Sequence, residues 1–455
     1  MFRRRWSSLP ADPVFPSNLT DLGYCIVNDE IRSIENTDYY FKYFSYKNER
    51  WNERQRFAFN EAVCRIIREH LTTDLGLRSV PLPLGTPTTS PHVPILVSPS
   101  LQDASRVVLI FGESAQELGV ISHRVIGRAG GIAKGSMISL VPGLRAQRAS
   151  AAADDDGGDG ASHPPGVVLA NCGELWWWPE GGKGLTPQAR HGVPMASCVL
   201  LGRYHERERN EIEGNRTVWE HVRCVFESVL LGGLAKDGVK VDVIAVGDAA
   251  DEVEAYLNDD EVWERVGKMM SCLVVVGGMY SSAEFKCEGF AKFMDERARA
   301  YVIHNTPVGT PIAGSGGNPR AVGFTSFGCP VYSAGPAAAM TELMLIEVQS
   351  SVLQWIQEVA TAGEAYKNDV IEVYVDEVQE VDDTWGDYQS DPGKEDDKGE
   401  ATAADGAVKK KGEKSEKELG PGARDAQGSG HVTGLDKGVQ HLELDDSGGG
   451  GNDKA

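Results

Sequence analysis

Short, unbroken apolar runs alternating with amphipathic stretches constrain this chain more than any other feature. Val107-Val108-Leu109-Ile110-Phe111 ends in Gly112, and Val167 to Ala170, Val239 to Val246, Leu273 to Val276, Ala300 to His304 and Pro330 to Tyr332 repeat the pattern. Runs of this length suit strands covered on both faces, as in a parallel sheet. Between them lie helical stretches. In 50–72, Phe57, Val63, Ile66, Ile67 and Leu71 share one face. In 217–234, Thr217 and Glu220 form a capping box ahead of Val218, Val222, Val225, Phe226 and Val229. A further helical segment spans about 250–257, and 340–360 closes the series. Strands alternating with helices predict an α/β fold: a doubly wound, mostly parallel sheet with helices on both faces.

This core is expected over 49–378, preceded by an aromatic-rich arm at 1–48 and interrupted by an Ala/Asp/Gly-rich insert at 149–165. From 379 to 455 Asp, Glu, Lys and Gly dominate, a composition that cannot bury enough apolar surface to offset its ordering entropy. The formal net charge is −22. So acidic a chain offers no broad positive field for phosphates, and contact with RNA is expected to be local or to pass through a partner. The 8 cysteines are scattered without a C-x-x-C pair, so no metal site and no cofactor are expected. The N-terminal stretch lacks the apolar core of a signal peptide, and no segment is apolar for long enough to span a membrane. A nuclear or cytoplasmic location is expected.

If the sheet is of α/β-hydrolase type, the strand at Val239–Val246 should end in a sharp turn that lifts a nucleophile above the sheet. The turn reads Gly247-Asp248-Ala249, with small residues around a carboxylate. Asp248 is then either a nucleophile, for which His304 is the available base, or the cap of the following helix. Gly112-Glu113-Ser114 follows the first core strand, where hydrolases place the oxyanion loop. A carboxylate there opposes the charge such a loop stabilises. Ser114 with His123 is a second pairing to consider. Trp176-Trp177-Trp178, flanked by Glu174 and followed by Pro179, is expected at the C-terminal end of the sheet, where α/β folds place ligands. Either alternate rings pack under the loop, with the middle one partly exposed, or the rings form a stacking or partner-binding surface. Arg203, His205 and Arg207 are either a solvated face or a seat for an acidic partner or a phosphate.

Longer strings carry a resemblance. Pro16 to Leu19 with Leu22-Gly23-Tyr24, Ile31 to Asn36, Asn52 to Arg56, Val107 to Glu113, Arg124 to Gly127, and Val168 to Asn171 running into Gly173–Gly181 resemble the Arb-two (Argonaute-binding) domain family over roughly residues 1–360. The resemblance implies a degenerate α/β-hydrolase fold. One well-known member is similar to a subunit of an Argonaute small-interfering-RNA chaperone complex supporting heterochromatin silencing. Animal relatives keep a Ser at the elbow and a His after the last strand, where this chain is taken to carry Asp248 and Ala339. A related domain follows the catalytic domain of fungal class II histone deacetylases. The expected function is therefore a non-catalytic binding subunit whose partner is an Argonaute-type protein or its chaperone partner, with small interfering RNA met indirectly. The alternatives are a hydrolase using Asp248 with His304, and a chromatin-associated module.

Overall fold

The computed structural model describes residues 8–372, apart from 100, 149–163, 201, 322 and 339. Most of the 149–165 insert, the tail from 379, and Ala339 lie outside the described residues. Thirteen strands are present among the described residues. β1 (Tyr24–Val27) and β2 (Glu30–Ser33) form a hairpin in the N-terminal arm; β7 (Trp176–Trp178) and β8 (Lys183–Leu185) form another. The other nine are β3 (Arg78–Leu82), β4 (Val93–Val97), β5 (Arg106–Phe111), β6 (Gly166–Ala170), β9 (Lys240–Val246), β10 (Met270–Val276), β11 (Ala298–Val302), β12 (Pro311–Ala313) and β13 (Val331–Ser333). They make one sheet in the order β12-β13-β11-β10-β9-β5-β6-β4-β3.

Strands β6, β5, β9, β10, β11 and β13 run parallel. β4 is antiparallel to both β3 and β6, and β12 is antiparallel to β13. Counting from β3 to β13 without β12, the spatial sequence is first, second, fourth, third, then fifth to eighth, with the second strand reversed. That is the α/β-hydrolase arrangement.

Alternation along the strands explains why the runs read as continuously apolar. Val107, Leu109 and Phe111 point to one side, where they meet Val222, Phe226, Val253 and Phe290. Val108 and Ile110 point to the other, where they meet Val63, Ile67, Leu140, Val348 and Trp355. Each side is thus covered by helices. On the first are α3 (Val218–Val225), α4 (Asp248–Leu257) and α5 (Glu288–Arg297); on the second are α1 (Glu49–Glu69), α2 (Met137–Arg145) and α6 (Thr341–Ala362).

Two details differ from the sequence reading. The helix expected over 217–234 widens into a π turn at Phe226–Leu230. Its capping box is offset: Thr217 Oγ1 accepts from Glu220 N, but the Glu220 carboxylate accepts from Arg216 N.

Charged groups tie the framework together. Arg106 on β5 and Asp242 on β9 form an ion pair at 2.5 Å with both side chains buried, and Arg106 also donates to the Ile356 carbonyl at 3.0 Å. The pair therefore links the two central strands to α6. In the arm, both Asp12 oxygens accept from Arg50 at 2.7 Å, and Arg54 Nε lies 3.4 Å away. Arg50 and Arg54 donate onward to carbonyls of the 191–193 segment.

Candidate functional site

The hydrolase elbow requires a backbone that reverses between strand and helix. Here that reversal falls on Gly247, with φ 59° and ψ −136°, a region L side chains rarely adopt. It corrects the sequence reading by one position. The elbow's strained residue is the one that carries the nucleophile. In this chain it is a glycine and has no side chain. Asp248 is the first helical residue of α4; its carboxylate suits the positive end of that helix but makes no capping bond. It accepts instead from the Ser114 hydroxyl at 3.1 Å.

The space a nucleophile would use is filled from across the loop. A Cβ built on Gly247 would lie 2.5 Å from Glu113 Oε2 and 3.1 Å from Oε1. Glu113 is half-buried, and its pKa is pushed up to about 7 by burial first, then by the negative Asp248 and Glu342 carboxylates. The oxyanion-type loop thus delivers an acid to the elbow, where a hydrolase would aim amides at a developing negative charge.

The pairings considered from sequence are not formed. His304 shares its Nδ1 with the Thr306 hydroxyl at 3.0 Å and makes no hydrogen bond to Asp248 among the described residues. His123 turns to Glu117, at 2.6 Å, and not to Ser114.

The tryptophan segment also corrects an expectation. Trp176 and Trp177 are 7% and 4% exposed, so the middle ring is buried, and only Trp178 is half-exposed. As β7 these residues alternate. Trp176 packs with Phe57, Leu185 and Val193, with Trp178 against the same cluster, while Trp177 packs oppositely with Val93 and Ile212. Both faces of the strand are covered, which excludes the open stacking surface. Nor is Glu174 a free contact. It is 5% exposed, both its oxygens receive Arg68 at 2.5 and 2.6 Å, and one also accepts from Asn171 and from Leu118 N. Arg203 and Arg209 share Glu180 at 2.6 and 2.9 Å. His205 and Arg207 face Glu211 at 3.5 and 3.3 Å. These cations form half-exposed ion pairs within the segment.

What sequence reasoning missed is a groove of about 1440 Å³ beside the elbow. Its wall includes Phe41, Tyr43, Arg56 and Arg68 from the arm and α1, Glu113 and Glu117 from the loop after β5, and Arg124 and Glu342. These come from segments far apart in the chain, and no local spacing announces them. His221 holds the turn that begins at Asn171. Fully buried, its Nε2 accepts from Asn171 N at 3.0 Å while Nδ1 faces Asn215 Oδ1 at 2.7 Å, so the ring is neutral with its proton on Nδ1. Burial depresses its pKa to about 3. The turn it holds is the one that carries Glu174 to Arg68.

The Arb2 domain, the Arb-two family, matches residues 15–308. Among solved structures, one described as "Structure of arylesterase" is 11% identical, with a TM-score of 0.28, covering 63% of this chain and 85% of that one. So loose a likeness adds nothing to the strand order. No curated protein matches the chain.

Proposed function

The chain belongs to the Arb2 domain family, and on that premise we propose that it is a non-catalytic binding subunit of an Argonaute small-interfering-RNA chaperone complex. Its work is RNA-interference-dependent silencing of heterochromatin, in the nucleus or the cytosol. One observation carries the non-catalytic part: the turn that would present a nucleophile is Gly247, and the Glu113 carboxylate stands in its place. A carboxyl group at that point occupies the nucleophile's space, and once ionised it repels both an attacking hydroxide and the oxyanion that acyl transfer must form. The net charge of −22 supports the indirect role with RNA, which is met through a partner. No helix among the described residues is long and apolar enough to cross a membrane.

What the framework offers instead of catalysis is a wide groove of mixed charge with aromatic side chains in its wall. The test is affinity purification of the full chain from its own cells, followed by mass spectrometry. The reading requires an Argonaute-type protein in the eluate, resistant to ribonuclease and reduced by charge reversal of groove residues such as Arg56→Glu. Repeated recovery of chromatin or deacetylase subunits without any Argonaute would overturn it and favour the chromatin-module reading.

A further inference from the structure

We propose that Cys64, Glu117 and His123 form a binding site for a divalent cation of zinc type on the wall of the groove. The three residues come from α1, from the loop after β5 and from the short helix His123–Ile126. A thiol, a carboxylate and an imidazole thereby converge, with one ligand atom of each within 4.8 Å of the others. All three line the groove.

The donor set selects the ion. Thiolate with imidazole favours zinc over the hard cations, and one carboxylate is common in zinc sites that keep a position for water. Tetrahedral zinc with ordinary bond lengths puts ligand atoms about 3.3–3.6 Å apart. His123 Nε2 and Glu117 Oε2 are 2.6 Å apart, so their hydrogen bond must open by about 0.7 Å to admit the ion. From separations of at most 4.8 Å, the cysteine must approach by no more than about 1.2 Å.

The three donors have few competing partners. His123 Nδ1 is buried and has no hydrogen-bond partner. Among the described residues the ring makes a single polar contact, to a carboxylate that is itself a metal ligand by type. Cys64 is buried and forms no disulfide. The neighbouring cation is already matched, because Arg68 is bound by both oxygens of Glu174. With Cys64 as thiolate and Glu117 ionised, the charge of the ion is neutralised. On binding, the Cys64 thiol gives its proton to solvent; if His123 is protonated, that proton leaves too. No oxidation is involved, and a groove water completes the coordination.

The sequence shows no metal motif because its ligands lie at 64, 117 and 123, with no short repeat between them. The site would pin α1 to the loop that bears Glu113, and this inference does not depend on which partner the groove holds.

The experiment uses the purified full chain, dialysed against chelator and titrated with Zn²⁺ alone by calorimetry, then with Co²⁺ alone by absorption. One zinc per chain is expected, together with a thiolate-to-cobalt charge-transfer band. Cys64→Ser should abolish the band, and His123→Gln should weaken zinc binding at least tenfold. Circular dichroism checks that both variants fold. A wild-type chain that gives no charge-transfer band overturns the proposal, whatever the variants do. So does zinc binding that is unchanged in Cys64→Ser, which would place the ion on other groups.

Discussion

Replacing Glu113 by Gln isolates the electrostatics of the elbow. The shape of the side chain is kept and its ionisation is removed. In the folded chain Glu113 titrates at about 7, against 4.5 for the free residue. A shift of that size corresponds to about 3 kcal/mol as an upper bound, and about 1–2 kcal/mol once water in the groove screens the charge. The sign follows from linkage. The folded state holds this proton more tightly than the unfolded state, so its contribution is fully present below pH 4.5 and is lost as pH rises through 7. Glu113→Gln should therefore match the wild type near pH 5 and exceed it above pH 7, by about 1–3 °C in melting temperature. Thermal melts of both proteins at half-unit steps from pH 5 to 8.5 give the difference curve, in which other titrating groups cancel. A flat difference, or a variant less stable at high pH, would show that Glu113 is not desolvated beside Asp248 and Glu342.

Three further outcomes are expected. His221 has a folded pKa near 3 against 6.5 when free, so its contribution is fully present above 6.5 and is lost as pH falls toward 3. The wild type should lose up to about 4–5 kcal/mol over that window, and His221→Gln should flatten this part of the acid branch in urea titrations. Asp242→Ala strands Arg106 in the core and should cost about 3–5 kcal/mol. The paired change Arg106→Met with Asp242→Leu should recover most of that in the same denaturant assay. Trp177→Ala removes a ring packed on Val93 and Ile212 and should cost about 3–5 kcal/mol; a surface ring would cost almost nothing, and equilibrium unfolding distinguishes the two.

The sheet was legible because its runs are apolar on both sides, and that property survives in a single sequence. Val107–Phe111 and Val239–Val246 were placed to within a residue or two of the observed strands. The sequence alone sets the elbow one residue late. Small residues flank both Gly247 and Asp248, and only the positive φ separates them. The tryptophans misled for a physical reason. Three adjacent large rings look too many to bury, yet a strand covered on both faces accepts them alternately. Ion pairs such as Arg106 with Asp242 and Arg68 with Glu174 join residues more than a hundred positions apart. Nothing in their local sequence distinguishes these charges from solvated ones, so the groove and its supports emerged only with the fold.

Hydrolysis of a panel of activated esters by the purified chain, run beside Asp248→Asn, tests the central claim most directly. With a glycine at the elbow and a carboxylate filling its nucleophile space, both proteins should match the buffer rate for every ester. Saturable turnover by the wild type that disappears in Asp248→Asn would contradict that claim and make the chain a hydrolase.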